Sequence, residues 1–135
     1  CPIPRQRSWG SPRWPASCPP GCPGYHRRSW GSGPIEAVKR ALANAGLSIA
    51  DIDLFEINEA FAVQVLGSAR ALGIDEDKLN VSGGAIALGH PFGMTGARIT
   101  ATLLNNLATY DKTFGVETMC VGGGQGMAMV VERLS

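Results

Sequence analysis

Three side chains with acid–base or amide chemistry stand at junctions between apolar segments: Asn58, His90 and Cys120. Asn58 opens the run Asn58-Glu59-Ala60-Phe61-Ala62, where an extended segment gives way to a helical one. In open α/β sheets, side chains at such carboxyl ends of strands reach the ligand crevice. An amide there can orient a water or donate to a developing oxyanion, and asparagine is equally a good helix N-cap. His90 sits in a long Gly-rich apolar loop from Gly83 to Gly93. An imidazole titrates near neutrality and, beside a thiol, would generate a thiolate; a lone loop histidine is otherwise simply solvated or hydrogen-bonded. Cys120 ends an extended run directly before Val121-Gly122-Gly123-Gly124. It reads either as a small core hydrophobe or as an acid–base thiol, with a backbone N–H of the glycine turn donating to an oxyanion. That turn precedes a strand rather than a helix, so it is not a dinucleotide fingerprint.

The elements that must carry these residues alternate between helix and strand. Pro34 suits a first helical position, Ile35, Val38, Ala41, Leu42 and Ala45 follow at helical spacing, and Gly46 is a natural terminator. Ser48 and Asp51 have capping-box spacing. Leu54 to Ile57 reads as a short strand, Glu59 to Leu72 as a helix stopped by Gly73, and Leu79 to Val81 as another short strand. Thr95 to Tyr110 is predicted helical, with a face of Ala97, Thr100, Ala101 and Leu104 small enough for close packing. Val116 to Val121 and Met127 to Val131 are predicted strands joined through Gly122-Gly123-Gly124-Gln125-Gly126. The order implies an α/β fold: a mixed sheet with packed helices and a C-terminal β-hairpin.

Composition narrows the function classes. The chain has 135 residues, a formal net charge of +1 and 44% hydrophobic residues. That is enough for one modest domain and gives no electrostatic footprint for nucleic acid or an anionic membrane. No apolar run approaches the roughly 18 residues needed to span a bilayer. The first 33 residues differ in character: Pro2, Pro4, Pro12, Pro15, Pro19, Pro20 and Pro23 fall there with Trp9, Trp14 and Trp30, and no acidic residue does. Such a segment has too little periodic apolar surface to offset its ordering entropy, so disorder is expected. It also lacks an apolar h-region, which argues against a secretory signal and for a cytoplasmic protein. Cys18 and Cys22 have spacing reminiscent of half a zinc site, with Cys1 and His26 nearby, but neither a metal nor a disulfide framework is expected.

Taken together the motifs are specific. Asn58 to Ala62 (NEAFA), Gly83 to Arg98 (GGAIALGHPFGMTGAR) and Cys120 to Gly126 (CVGGGQG) resemble, in order and separation, motifs of the thiolase family. The resemblance covers residues 31 to 134 and corresponds to the C-terminal part of a thiolase. It implies that His90 activates a nucleophilic cysteine and, with a water held by Asn58, stabilises an enolate or oxyanion. Cys120 would shuttle protons to and from the substrate, the Gly122 N–H would complete an oxyanion hole, and Ala60 with Phe61 would line the acyl and pantetheine end of the pocket. The reaction implied is reversible Claisen chemistry on 3-ketoacyl-CoA, with coenzyme A as substrate and no separate cofactor.

The family's nucleophilic cysteine lies in an N-terminal half that this chain lacks, and none of Cys1, Cys18 or Cys22 has its context. The missing half is therefore the expected partner, with homo-oligomerisation of the intact enzyme, and its absence should leave an apolar face uncovered. A thiolase would carry Met-Gly-Ile-Gly-Pro where this chain has Trp30-Gly31-Ser32-Gly33-Pro34. A one-base shift of suitable codons restores it, so residues 1–33 read as out-of-frame translation or as an authentic disordered tail, and residues 34–135 as the domain. The alternative from another class is a non-catalytic thiolase-like module that binds acyl-CoA or lipid, or complements a separate half.

Overall fold

A computed structural model describes residues 32–122 and 124–134. The readings made on Cys1, Cys18, Cys22 and His26 lie outside these residues. Pro34 enters the first helix, where its missing N–H costs nothing. This helix, α1 (Gly33–Ala45), stops at Gly46, whose φ of 69° is left-handed. Ser48 and Asp51 cap a single 3-10 turn reciprocally. Strand β1 (Leu54–Ile57) follows, then helices α2 (Ala62–Leu72), α3 (Ala85–Leu88) and α4 (Thr95–Thr109), and the hairpin of β2 (Phe114–Val121) and β3 (Gln125–Glu132).

The sheet order is β1-β2-β3, with β1 parallel and β3 antiparallel to β2. All four residues of β1 are buried because helices cover both faces. Val38 and Leu42 of α1 and Val65, Ala69 and Leu72 of α2 pack with Phe55, Ile57 and Val116 in one cluster. Leu103 and Leu107 of α4 pack with Leu54 in a second. The alternation of strand side chains assigns the clusters to opposite faces. Each fully buried aliphatic side chain contributes about 1.5–3 kcal/mol of transfer free energy. On the α4 face Gly115 leaves room for Leu103, whose Cδ1 would lie 2.8 Å from an added Cβ.

Three expectations need correction. Leu79 to Val81 is not a strand: only Leu79 bridges Phe55, and Asn80 takes φ 47°. The Asn80 side chain substitutes for a neighbouring backbone, accepting from Ile57 N–H at 2.8 Å and donating to Ile57 C=O at 2.9 Å. Helix α2 begins at Ala62, not Glu59, because the Glu59 carboxylate is bonded elsewhere and Phe61 remains extended at φ −148°. Asn58 is accordingly not the helix cap. Finally, the buried side of α4 is Thr95, Ile99, Leu103, Asn106 and Leu107, whereas Ala97, Ala101 and Leu104 face outward. The single turn α3 has no periodic signature and was not expected from the sequence.

Candidate functional site

Asn58 stands at the carboxyl end of β1 with no solvent exposure. Its backbone N–H donates to Thr118 C=O of β2 at 2.9 Å, so the parallel pairing fixes where the side chain emerges. The Asn58 Nδ2 lies 3.4 Å from His90 Nε2. The other ring nitrogen of His90 is bonded to the hydroxyl of Thr95, a buried residue at the start of α4. The imidazole itself is exposed to solvent. Asn58 and His90, 32 residues apart, are thus brought together.

The loop that delivers His90 is anchored by Glu59. One carboxylate oxygen accepts from Ile86 N–H at 2.9 Å and the other from Asn80 Nδ2 at 3.0 Å. Gly84 lies directly against this carboxylate, and a Cβ there would sit 2.4 Å from Glu59 Cδ. Gly84→Ala is therefore expected to push Glu59 off the loop. Losing a charge-assisted bond of about 1.5–3 kcal/mol should speed exchange of the Ile86 amide roughly ten- to hundredfold. Unchanged protection would show that Glu59 does not hold the loop.

Behind Asn58 lies a buried ion pair. Arg98 Nη1 donates to Glu56 Oε1 at 2.8 Å, and Arg98 Nη2 to Asn58 Oδ1 at 3.4 Å. Burial pushes the Glu56 carboxyl up to about 7; Arg98 opposes this, while the charges of Glu59 and Glu117 add to it. Glu117 pairs with Glu56 across the sheet and is raised by burial too, with Thr100 bonding it in opposition. These residues were missed in the sequence. The signal was a charged residue inside the otherwise apolar Leu54 to Ile57, which demands a buried partner.

Cys120 is half-buried near the end of β2, two residues beyond Thr118 and paired in register with Gly126. The backbone there is tightly packed, since a Cβ on Gly126 would meet Gly33 C=O at 2.1 Å. Gly122 follows in the turn at φ 55°. Cys120 and Asn58 thus lie at the same end of adjacent parallel strands, and no hydrogen bond joins Cys120 to the Asn58–His90 pair. Ala60 and Phe61 lie between β1 and α2. Phe61 borders an open cavity of about 380 Å³ together with Ile35, Val63 and Gln64, apart from Asn58, His90 and Cys120. Among the described residues no group of three or more His, Cys, Asp or Glu side chains is placed to hold a metal ion.

The arrangement offers an imidazole oriented on both sides, a buried amide and a thiol at one sheet end, which suits proton transfer and oxyanion stabilisation. A family model described as "Thiolase, C-terminal domain" matches residues 21–133. The chain is 59% identical over 105 residues to the acetyl-CoA acetyltransferase of Escherichia coli (strain K12), covering 78% of this chain and 27% of that protein. It is 57% identical over 102 residues to the 3-ketoacyl-CoA thiolase of Bacillus subtilis (strain 168), covering 76% and 26%. Over 120 residues it is 53% identical to the 3-ketoacyl-CoA thiolase of Serratia proteamaculans (strain 568), covering 87% and 29%. The chain therefore spans between a quarter and a third of the length of these relatives.

Proposed function

Because this chain belongs to the thiolase family, we propose that it supplies the acid–base half of a thiolase site, completed by a half that brings the nucleophilic cysteine. The observation that carries the reading is the Asn58–His90 pair at the carboxyl end of β1, beside the strand bearing Cys120. His90 Nε2 takes the proton of the nucleophilic thiol, and the thiolate attacks the keto carbon of 3-ketoacyl-CoA. The protonated Nε2, set in place beside the Asn58 amide, stabilises the charge that develops on oxygen. Cleavage of the carbon–carbon bond leaves an acyl-enzyme and the acetyl-CoA enolate, whose carbon takes the proton of the Cys120 thiol. The Cys120 thiolate then accepts the proton of incoming CoA, which attacks the acyl-enzyme. The Gly122 N–H faces the second oxyanion, and His90 returns its proton to the departing cysteine. Ala60 and Phe61 are assigned to the acyl and pantetheine end from the family resemblance alone, since the cavity that Phe61 borders is not lined by Asn58, His90 or Cys120.

The exposed apolar side chains fit the same proposal. Ile86 (66%), Leu88 (63%) and Phe92 (108%) lie open on the loop that carries His90, with Val63 (79%) on α2 and Leu104 on the outer side of α4. Surface of this kind is ordinarily covered by a partner, here the nucleophile-bearing half, in an assembly that oligomerises as a cytoplasmic enzyme. No helix among the described residues is long and apolar enough to cross a membrane. The chain by itself is expected to give no thiolysis of acetoacetyl-CoA, because removing the nucleophile removes the covalent intermediate. Turnover at ordinary thiolase rates by the isolated chain would contradict the proposal.

A further inference from the structure

We infer that the Glu56–Arg98 ion pair is a positioning device that fixes the tautomer of His90 by deciding which way the Asn58 amide faces. Every guanidinium nitrogen is a donor, so the atom of Asn58 that faces Arg98 Nη2 must be the carbonyl oxygen Oδ1. The amide nitrogen Nδ2 is thereby turned to His90. Both Nδ2 hydrogens are donors, so the facing Nε2 must offer its lone pair. The proton of the neutral ring then resides on Nδ1, where the Thr95 hydroxyl accepts it. Arg98 is in turn held in place by Glu56, 42 residues away and 1% exposed. Asn58 lies at 0% exposure, so no water can substitute for the carbonyl's partner without rearrangement.

The catalytic consequence rests on the thiolase reading: a ring with its proton on Nδ1 can accept the thiol proton at Nε2, in place of the long 3.4 Å contact from Asn58, without changing tautomer. The tautomer itself does not rest on that reading. An Nδ1–H ring in a chain that gives no thiolysis even when joined to a nucleophile-bearing thiolase half would sink the reading and leave this assignment standing. An active enzyme with the proton on Nε2 would do the reverse.

The test is a long-range 1H–15N correlation spectrum of the 135-residue chain carrying His26→Gln, which leaves His90 as the one histidine. At about pH 9 an imidazole is neutral. Nε2 is expected to show a pyridine-type 15N shift and Nδ1 a pyrrole-type shift. Arg98→Met frees the amide to turn, so both shifts are expected to move toward the averaged values of a free imidazole. Asn58→Asp puts an acceptor-only group in the same place, and Nε2 is then expected to become pyrrole-type. Glu56→Gln keeps an acceptor for Arg98 and is expected to leave the parent pattern intact. A pyrrole-type Nε2 in the parent spectrum overturns the assignment whether or not any variant folds. So does a pyridine-type Nε2 that persists in Asn58→Asp.

Discussion

Arg98→Met is expected to cost the folded chain about 3 kcal/mol at pH 9 and far less at pH 6. Glu56 has an ordinary carboxyl value of 4.5 and is pushed up to about 7 in the fold, chiefly by burial. Its folded state therefore holds the proton more tightly than its unfolded state. Stability is fully present below about pH 4.5, declines as pH rises, and levels off above about 7, where the paired carboxylate ionises. Without Arg98 the carboxyl has no counter-charge. An unpaired buried charge costs about 3–5 kcal/mol. Keeping the proton costs about 1.4 kcal/mol for each pH unit above 7, so up to pH 9 protonation is the cheaper solution. The decline that stops near 7 in the parent thus continues in the variant. Glu117 is raised in both proteins and cancels in the difference. Asp51, held below its ordinary range by bonds from Ser48, and Asp53, where burial is outweighed by the Phe114 and Thr113 amides and the charges of Lys112 and Lys78, act only in acid, where stability is lost as pH falls through their folded values. Urea unfolding followed by circular dichroism at pH 6 and 9 decides the point. An equal loss at both pH values would assign the cost to packing of the arginine stem instead of charge.

The larger effect is expected in catalysis. In a complete enzyme containing this domain, His90→Ala should lower kcat by roughly 10²- to 10⁴-fold, the ordinary contribution of a positioned general base. Three features support so large a value. His90 is bonded on one ring nitrogen by Thr95 and approached on the other by Asn58, so its orientation is set before substrate arrives. Its loop is stapled by Glu59 through Ile86 N–H. A free thiol at neutral pH is mostly protonated and needs a base to become a nucleophile. Single-turnover formation of the acyl-enzyme from acetoacetyl-CoA, measured beside the parent enzyme, isolates the step. An unchanged rate would remove His90 from the role of base.

The regular elements were legible because their signals are local. Pro34 and Gly46 bracket α1, Gly73 stops α2, and the apolar period locates α4; the glycine turn announces the hairpin. Legibility failed where distant residues override local preference. Leu79 to Val81 looks extended, but Asn80 turns and lends its side chain to Ile57 from 23 residues away. Glu59 looks like the first turn of a helix, but its carboxylate is taken by the His90 loop. In the site, Asn58, His90 and Cys120 were visible as residue types at junctions. Their supports, Glu56, Arg98 and Thr95, were not, because the pairing of β1 with β2 and the seat of α4 on that sheet decide them. The outward turn of Ala97, Ala101 and Leu104 has a different cause: apolar periodicity marks a helix face as buriable, and none of the described residues buries it.

If the described residues supply the acid–base half of a thiolase site, they should work in place of the same part of a complete relative. The most direct measurement is thiolysis of acetoacetyl-CoA by a chimera in which these residues replace the matching C-terminal part of the Escherichia coli acetyl-CoA acetyltransferase, 59% identical over the matched region. The chimera is expected to turn over within about tenfold of its parent, because identity at this level preserves the packing on which site geometry depends. A chimera that folds and assembles like its parent, yet gives no acetyl-CoA, would contradict it.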